Sequence, residues 1–230
     1  MARDQGPDVV LNPQQMNILI PTVSPESVEA LVFDLGGVLL DVQLQRTLRA
    51  FEALDIRGLG AAEVIDGNRA CFRDLELGLI TQEEFAEAVR RTFPAVAAIP
   101  DEQLLEAWNA MLMPFDAQRV ELLRELGKRC PVYLLSNTNL SHRIRFRESF
   151  RERFGGSFDE LFVRCFYSDE LHLRKPDPEI YRSVARQIGT PPGKLLFIDD
   201  NAANVSAARG EGWQACHLTG GITVTDLFEL

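Results

Sequence analysis

Two adjacent carboxylates, Asp199-Asp200, directly follow the apolar run 195–198 of this 230-residue chain. Paired acids at a strand end are costly unless a positive charge joins them, and Mg²⁺ prefers such oxygen ligands. Asn204, four residues after Asp200, could reach back from the following helix to orient a carboxylate or a metal-bound water. The alternative interpretation is an ordinary capped helix start. The pattern favours a magnesium site.

A third acid, Asp34, follows the apolar run 30–33 and precedes Leu35-Gly36-Gly37. A carboxylate in this position could be a nucleophile that forms an aspartyl-phosphate. Gly36 and Gly37 would allow a sharp turn whose backbone N–H groups approach a ligand. Taken alone, the same residues more often form an ordinary Asp-x-Gly turn.

Polar residues also end the apolar run 132–135, where the sequence continues Ser136-Asn137-Thr138. Hydroxyl and backbone N–H groups at a strand end could bind phosphate oxygens, although a polar helix cap is the alternative interpretation. Lys175, within Arg174-Lys175-Pro176, could neutralise phosphate and keep the nucleophile ionised. An Arg-Lys pair is otherwise commonly a solvated surface.

The elements that must position these groups follow from the hydrophobic pattern. Short, non-alternating runs of branched and aromatic residues are typical of strands buried on both faces. Helical patterns between them predict an α/β fold with a doubly wound, mainly parallel sheet, in which ligands bind beyond the carboxyl ends of the strands. Two of these helices are predicted around residues 117–126, ending at Gly127, and after the cap Asp177-Pro178, ending at Gly189.

The long stretch 45–117 has no strong strand signal and is predicted to form a helical cap above the sheet. Thr81 and Glu84 predict a capping box, and Asp101 is predicted to cap a helix that carries Trp108 and Met111. We therefore predict an extension at 1–24, an α/β core at 25–44 and 118–230, and a cap at 45–117. Three cap residues are candidates for lining the pocket, namely Phe72, Glu76 and Trp108, although packing inside the cap is the stronger expectation for both aromatic residues.

Composition limits the classes of partner. The formal net charge is −10 and the pI is about 4.9, so nucleic acid and anionic membrane are not expected as partners. No apolar run approaches the length needed to cross a bilayer, and the N-terminus lacks a secretory-signal pattern. A cytoplasmic location is therefore expected.

Taken in order, the four elements resemble the motifs of the haloacid dehalogenase superfamily, over about residues 30–218. The resemblance implies that Asp34 is the nucleophile, that Ser136 binds phosphate and that Lys175 neutralises its charge. It also implies a Mg²⁺ site formed by Asp34, Asp199, Asp200 and the Gly36 carbonyl, with Asn204 behind the ligands. Asp200 would be the more direct ligand, and Asp199 would act partly through water.

A finer similarity is to bacterial α-D-glucose-1-phosphate phosphatases. It is carried by residues 33–38, by Ser136-Asn137-Thr138-Asn139 with His142, by Arg174-Lys175-Pro176, and by the cap stretch 76–85. This similarity implies that Asn137, Thr138, His142, Arg174 and Gly37 lie on the substrate or phosphate side of the site.

One position departs from most phosphatases of the superfamily. They carry a second aspartate two residues after the nucleophile, which protonates the leaving oxygen and then activates water, whereas this chain has Gly36. Three explanations remain open: a leaving group that needs little protonation, such as an anomeric sugar oxygen; proton transfer by His142; or no phosphate hydrolysis at all. A 2-haloacid dehalogenase and a catalytically weak phosphate-binding or scaffold protein are the alternatives of the last kind.

The sequence thus predicts a Mg²⁺-dependent phosphatase that hydrolyses a small phosphate monoester, with a sugar phosphate expected, through an aspartyl-phosphate. The expected partner is a small-molecule phosphate ester. Both a monomer and a homodimer remain open.

Overall fold

The computed structural model describes residues 17–21, 23, 25–64 and 69–229. The strands of this part of the chain are β1 Asn17–Ile18, β2 Ala30–Phe33, β3 Val132–Ser136, β4 Arg164–Tyr167, β5 Leu195–Asp199, β6 Gln214–His217 and β7 Phe228–Glu229. Its α-helices are α1 Leu44–Ala53, α2 Ala61–Val64, α3 Ala70–Glu76, α4 Gln82–Thr92, α5 Asp101–Asn109, α6 Ala117–Gly127, α7 Leu140–Phe154, α8 Ser168–Leu171, α9 Pro178–Ile188 and α10 Ala202–Gly210.

Five of the strands form one parallel sheet in the order β4-β3-β2-β5-β6. Side chains of β2 alternate between two hydrophobic clusters, with Leu31 and Phe33 in one and Ala30 and Val32 in the other. Both faces of the sheet are therefore covered, which explains why the strand reads as a continuous apolar run. The predicted doubly wound α/β fold is confirmed. Its topology switches between β2 and β5, where a crevice opens at the carboxyl ends.

The predicted helix boundaries of the core hold with one exception. Asp177 caps α9 by accepting a hydrogen bond from the Glu179 N–H at 3.0 Å, and Gly189 ends it with a φ of 79°. Gly127, however, is the last residue of α6 and does not stop it; Lys128 occupies the C-cap in a right-handed conformation. A helix tolerates glycine in its last turn, so glycine alone was an imprecise stop signal.

Helices α1 to α5, called the cap helices below, enclose a hydrophobic cluster of their own. Phe72 lies inside it against Phe85 and Trp108, with ring centroids 5.2 and 5.1 Å away. The Thr81–Glu84 capping box begins α4 as predicted. The prediction that Asp101 caps α5 was wrong.

Pro100 occupies the N-cap position of α5 and makes no side-chain cap bond, whereas Asp101 is the first helical residue. The Asp101 carboxylate instead pairs with Arg90. The helix also ends at Asn109, so Met111 lies beyond it. An aspartate in the first turn is stabilised by the helix dipole without capping, and the two roles leave the same trace in a sequence.

The two connections between the sheet and the cap helices run side by side. Val42 and Leu112 form an antiparallel bridge, and the Gln43 N–H donates to the Met111 carbonyl at 2.8 Å. The Met113 N–H donates to the Asp41 carbonyl at 3.1 Å. These contacts fix where the cap leaves and rejoins the sheet.

Part of the predicted extension packs on the body. β1 pairs antiparallel with β7 at the other end of the chain, and Ile18 and Ile20 are buried while Leu19 is exposed. Residues 1–16 lie outside the described residues. Among the helices that the structure describes, none has the length and apolar character that a bilayer crossing requires.

Candidate active site

Three carboxylates meet at the switch point of the sheet. Asp34 follows β2, Asp199 ends β5, and Asp200 is the next residue. One oxygen of each lies within 4.8 Å of the other two. Because β2 and β5 are neighbouring parallel strands, their carboxyl ends bring together acids that are 165 residues apart in the chain.

A buried ammonium lies against two of these acids. The Nζ of Lys175 is 2.8 Å from Asp34 Oδ1 and 2.7 Å from Asp199 Oδ2, and the lysine is 1% exposed. Burial alone would lower the pKa of Lys175, but Asp199 and Asp34 outweigh it and raise that pKa. Lys175 is therefore a fixed positive charge beside the proposed nucleophile.

Asp199 is held from several sides. The Asn204 side-chain amide donates to both carboxylate oxygens at 3.1 Å, and the Asn201 N–H donates to Oδ1 at 2.8 Å. Together with Lys175, these donors engage both oxygens of a side chain that is fully buried. The arrangement makes Asp199 a rigid anchor for the lysine and leaves Asp200 as the more accessible acid of the pair.

Gly37 determines how closely Asp200 approaches the loop after β2. Its φ is 72°, and a Cβ at this position would lie 2.0 Å from Asp200 Oδ2. Any side chain there would both strain the backbone and displace the carboxylate. The predicted glycine turn thus has a steric reason, but the Gly37 N–H donates to the Leu40 carbonyl at 2.9 Å inside the protein and was wrongly expected to face a ligand.

The charges of this cluster fit a divalent cation. Three carboxyl groups face one ammonium, so the cluster would carry a net negative charge in a largely buried place if all three were ionised. Burial raises the pKa of Asp34 to about 7; Lys175 lowers it, while Asp199 and Asp200 raise it further. Burial and Asp199 also raise the pKa of Asp200. A hard cation would satisfy this set of oxygens.

The residues after β3 either line the cavity or hold neighbouring backbone in place. Ser136 is buried and lines the same cavity as Asp34. Asn137 uses its side chain to hold the lysine backbone: its Nδ2 donates to the Lys175 carbonyl, and its Oδ1 accepts from the Lys175 N–H, both at 2.9 Å. The Thr138 N–H donates to Ser168 Oγ at 2.9 Å. That backbone donor is thus engaged inside the protein, a partnership that the sequence analysis missed.

A cavity of about 530 Å³ connects the acids to the cap helices. The predicted site residues that line it are Asp34, Gly36, Gly37, Ser136, Asn137, Thr138, His142, Arg174, Lys175, Asp200 and Asn204. Asp199 is anchored behind this wall. Glu76 and Trp108 line the cavity from the cap side, whereas Phe72 does not.

His142 is stacked on Trp108, with ring centroids 4.6 Å apart and an interplanar angle of 24°. Burial lowers the pKa of His142 to about 4, although a hydrogen bond to the Trp108 backbone opposes the shift. The ring is therefore neutral near pH 7. Its Nε2 is buried and has no hydrogen-bond partner among the described residues.

Sequence reasoning also missed the contacts that seat the cap on the sheet. Ser168 Oγ donates to the Glu76 carbonyl at 2.7 Å, and His172 Nδ1 lies 2.7 Å from the Leu77 carbonyl. A Cβ on Gly78, whose φ is 63°, would lie 2.1 Å from the Asp169 carbonyl oxygen. The only hint in the sequence was the glycine two residues after Glu76.

Comparison with known proteins agrees with this geometry. A family model described as haloacid dehalogenase-like hydrolase matches residues 28–212. A D-ribitol-5-phosphate phosphatase of Bacteroides thetaiotaomicron is 24% identical over 81% of this chain and 90% of its own length. An N-acetylmuramic acid 6-phosphate phosphatase of Pseudomonas aeruginosa is 24% identical over 80% of this chain and 78% of its own.

Among solved structures, an enzyme of the haloacid dehalogenase (HAD) family from Bacteroides thetaiotaomicron matches with a TM-score of 0.78. It was crystallised as an aspartate-to-alanine variant with magnesium and inorganic phosphate. It is 28% identical, and the match covers 85% of this chain and 96% of that one. The chain belongs to the haloacid dehalogenase-like hydrolases. The predicted family is therefore confirmed.

Proposed function

We propose that this protein is a Mg²⁺-dependent phosphatase that hydrolyses a small sugar or polyol phosphate through an aspartyl-phosphate on Asp34. The observation that carries the proposal is the buried contact of Lys175 with both Asp34 and Asp199, beside Asp200. The phosphatases of ribitol 5-phosphate and N-acetylmuramic acid 6-phosphate among its relatives support the substrate class.

In the first step, Asp34 attacks phosphorus, and the bond to the leaving oxygen breaks. Lys175 stabilises negative charge beside the nucleophile, and Ser136 donates a hydrogen bond to a phosphoryl oxygen. Asp34, Asp200, Asp199 and the Gly36 carbonyl would hold Mg²⁺. When bound, that ion supplies charge neutralisation and orientation of the phosphoryl group.

In the second step, water attacks phosphorus and restores the Asp34 carboxylate. Asn204 and Asn201 keep Asp199 in place, and Asn137 keeps the lysine backbone in place, so the charges need not reorganise as the reaction proceeds. We assign residues 45–117 to a cap that encloses the leaving group and limits the access of water. A cavity of about 530 Å³ has room for a small phosphate ester.

The test is a panel of phosphate esters, including sugar 1-phosphates, sugar 6-phosphates and polyol phosphates, with Mg²⁺ and with a chelator. We expect turnover of at least one polyhydroxylated ester that needs Mg²⁺ and disappears in Asp34→Asn. Asp55→Asn is the matched control, since Asp55 is an exposed cap residue. Dehalogenation of a 2-chloro acid that survives chelation would instead establish the dehalogenase alternative, and neither activity would establish a binding or scaffold role.

A further inference from the structure

The position two residues after Asp34 offers no group that could move the leaving-group proton, because Gly36 has no side chain. Among the described residues that line the cavity, the carboxylates are Asp34, Asp200 and Glu76. The first two belong to the acidic cluster. Glu76, which ends α3, is the remaining carboxylate and comes from the cap side.

The position of Glu76 is fixed by contacts on both sides of the cap–sheet boundary. Its carbonyl accepts the hydrogen bond from Ser168, and the close approach of Gly78 to Asp169 holds the turn that follows α3. Its carboxylate lies 3.1 Å from the guanidinium of Arg174, and the side chain is 12% exposed. The packing of the cap helices on the sheet therefore holds the Glu76 carboxylate at the cavity wall, beside Arg174.

The charged surroundings of Glu76 leave both of its protonation states accessible. Burial raises its pKa to about 7, although Arg174 and Lys175 lower it. Asp169, on the helix against which α3 packs, is paired with Arg143 at 2.8 Å. His142, which also lines the cavity, is neutral near pH 7. A carboxyl group with these neighbours can both give and take a proton under physiological conditions.

We propose that Glu76 is the acid–base residue of this phosphatase and replaces from the cap the aspartate that is absent at Gly36. As Asp34 forms its bond to phosphorus, the bond between phosphorus and the leaving oxygen breaks. The leaving oxygen keeps the electron pair of that bond and receives a proton from Glu76. Water then donates a proton to Glu76 as it bonds to phosphorus, and the electron pair of the phosphorus–Asp34 bond returns to Asp34. The products are an alcohol and inorganic phosphate.

His142 does not fit this role. Because the pKa of His142 lies at about 4, the ring is neutral near pH 7, and the N–H that a neutral imidazole keeps is too weak an acid to protonate a leaving oxygen. Its Nε2 is buried without a hydrogen-bond partner among the described residues. Stacking on Trp108 suits it instead to line the leaving-group side of the cavity. The earlier hypothesis of proton transfer by His142 is therefore replaced by proton transfer from Glu76.

The experiment compares Glu76→Gln with wild type on two esters of similar shape, phenyl phosphate and p-nitrophenyl phosphate, at saturating Mg²⁺. Phenoxide needs protonation far more than the acidic p-nitrophenolate does. We expect kcat/KM to fall about 10²–10⁴-fold on phenyl phosphate and less than about tenfold on p-nitrophenyl phosphate. Glu87→Gln, an exposed glutamate of α4, is the matched control and should behave as wild type on both.

A glutamate that only seats the cap would lower both rates by the same factor, so equal losses overturn the inference. His142→Asn tests the competing assignment: a leaving-group-dependent loss in that variant, without one in Glu76→Gln, also overturns it. The wild-type enzyme gives a second measurement. A shallow dependence of kcat/KM on leaving-group acidity across substituted phenyl phosphates supports a proton donor, and a steep one contradicts it.

This inference rests on the proposed function, and the two fail differently. Equal losses with retained Mg²⁺-dependent turnover remove Glu76 alone from the mechanism. Absence of phosphate release from every ester by the wild-type enzyme removes both.

Discussion

Magnesium and protons should compete for Asp34. Burial raises the pKa of Asp34 to about 7, with Lys175 lowering it and Asp199 and Asp200 raising it, and only the ionised form is a metal ligand. Between about pH 8 and pH 5 the ionised fraction of a group with a pKa of about 7 falls roughly 100-fold, equivalent to about 2.7 kcal/mol of binding free energy. The apparent Mg²⁺ affinity should fall by a similar factor.

Isothermal titration calorimetry of the full chain across this pH range measures the effect directly. Repeating the titration near pH 6 in buffers with different ionisation enthalpies counts the protons released. We expect about one proton per Mg²⁺ bound, because Asp34 is mostly protonated there. Asp34→Asn should lower the affinity near pH 8 and release fewer protons.

An affinity that is unchanged between about pH 8 and pH 5 would refute this reasoning. It would mean that the metal does not bind Asp34, or that the carboxyl titrates at its ordinary pKa in spite of burial. Glu179→Gln, at an exposed ion pair of α9, should leave both the affinity and its pH dependence unchanged.

The glycine beside Asp200, the buried lysine and the start of α4 each make a contact whose removal has a measurable effect. Gly37→Ala should weaken Mg²⁺ binding about 10–100-fold, because the added Cβ would displace Asp200. The control is Gly58→Ala, which also has a positive φ (78°) but has no atom within 4 Å of the added Cβ, and it should leave the Mg²⁺ affinity unchanged. Equal Mg²⁺ affinities of the two variants in calorimetry would contradict this. Lys175→Met should lower the free energy of unfolding by about 3–5 kcal/mol near pH 8 without metal, because it leaves buried carboxylates unpaired. Lys128→Met, at an exposed lysine, should leave the free energy of unfolding unchanged, and urea denaturation compares the two variants. Thr81→Ala should lower the free energy of unfolding by about 1 kcal/mol in the same assay, because the capping box of α4 is lost. Its kcat should be unchanged, and a fall in kcat would show that the start of α4 influences catalysis.

The central strands could be predicted from the sequence because each is buried on both faces. This burial requires the continuous apolar runs that are seen at β2, β3 and β5. The acids at the ends of β2 and β5 mark the edge of the sheet where the strands have their carboxyl ends. The outer strands β4 and β6 escaped prediction. Arg164 and His217 are exposed at their ends, so these strands lack a continuous apolar run.

Contacts between distant side chains could not be predicted from the sequence. The Glu76–Arg174 ion pair and the stacking of His142 on Trp108 both join the cap to the sheet domain. Neither leaves a periodic trace, because each depends on how the cap docks. The docking in turn depends on Ser168 and Gly78, whose residue types are equally common in ordinary turns.

The central claim is that phosphate is transferred to Asp34. It can be tested by quenching a single turnover of a hydrolysed ester, reducing the sample with borohydride, which converts an acyl phosphate to an alcohol, and sequencing the peptides by mass spectrometry. If phosphate is transferred to Asp34, homoserine forms at position 34, and only when Mg²⁺ and substrate are both present. Complete hydrolysis with an unmodified Asp34 at every quench time, or reduction at another carboxylate, would contradict it.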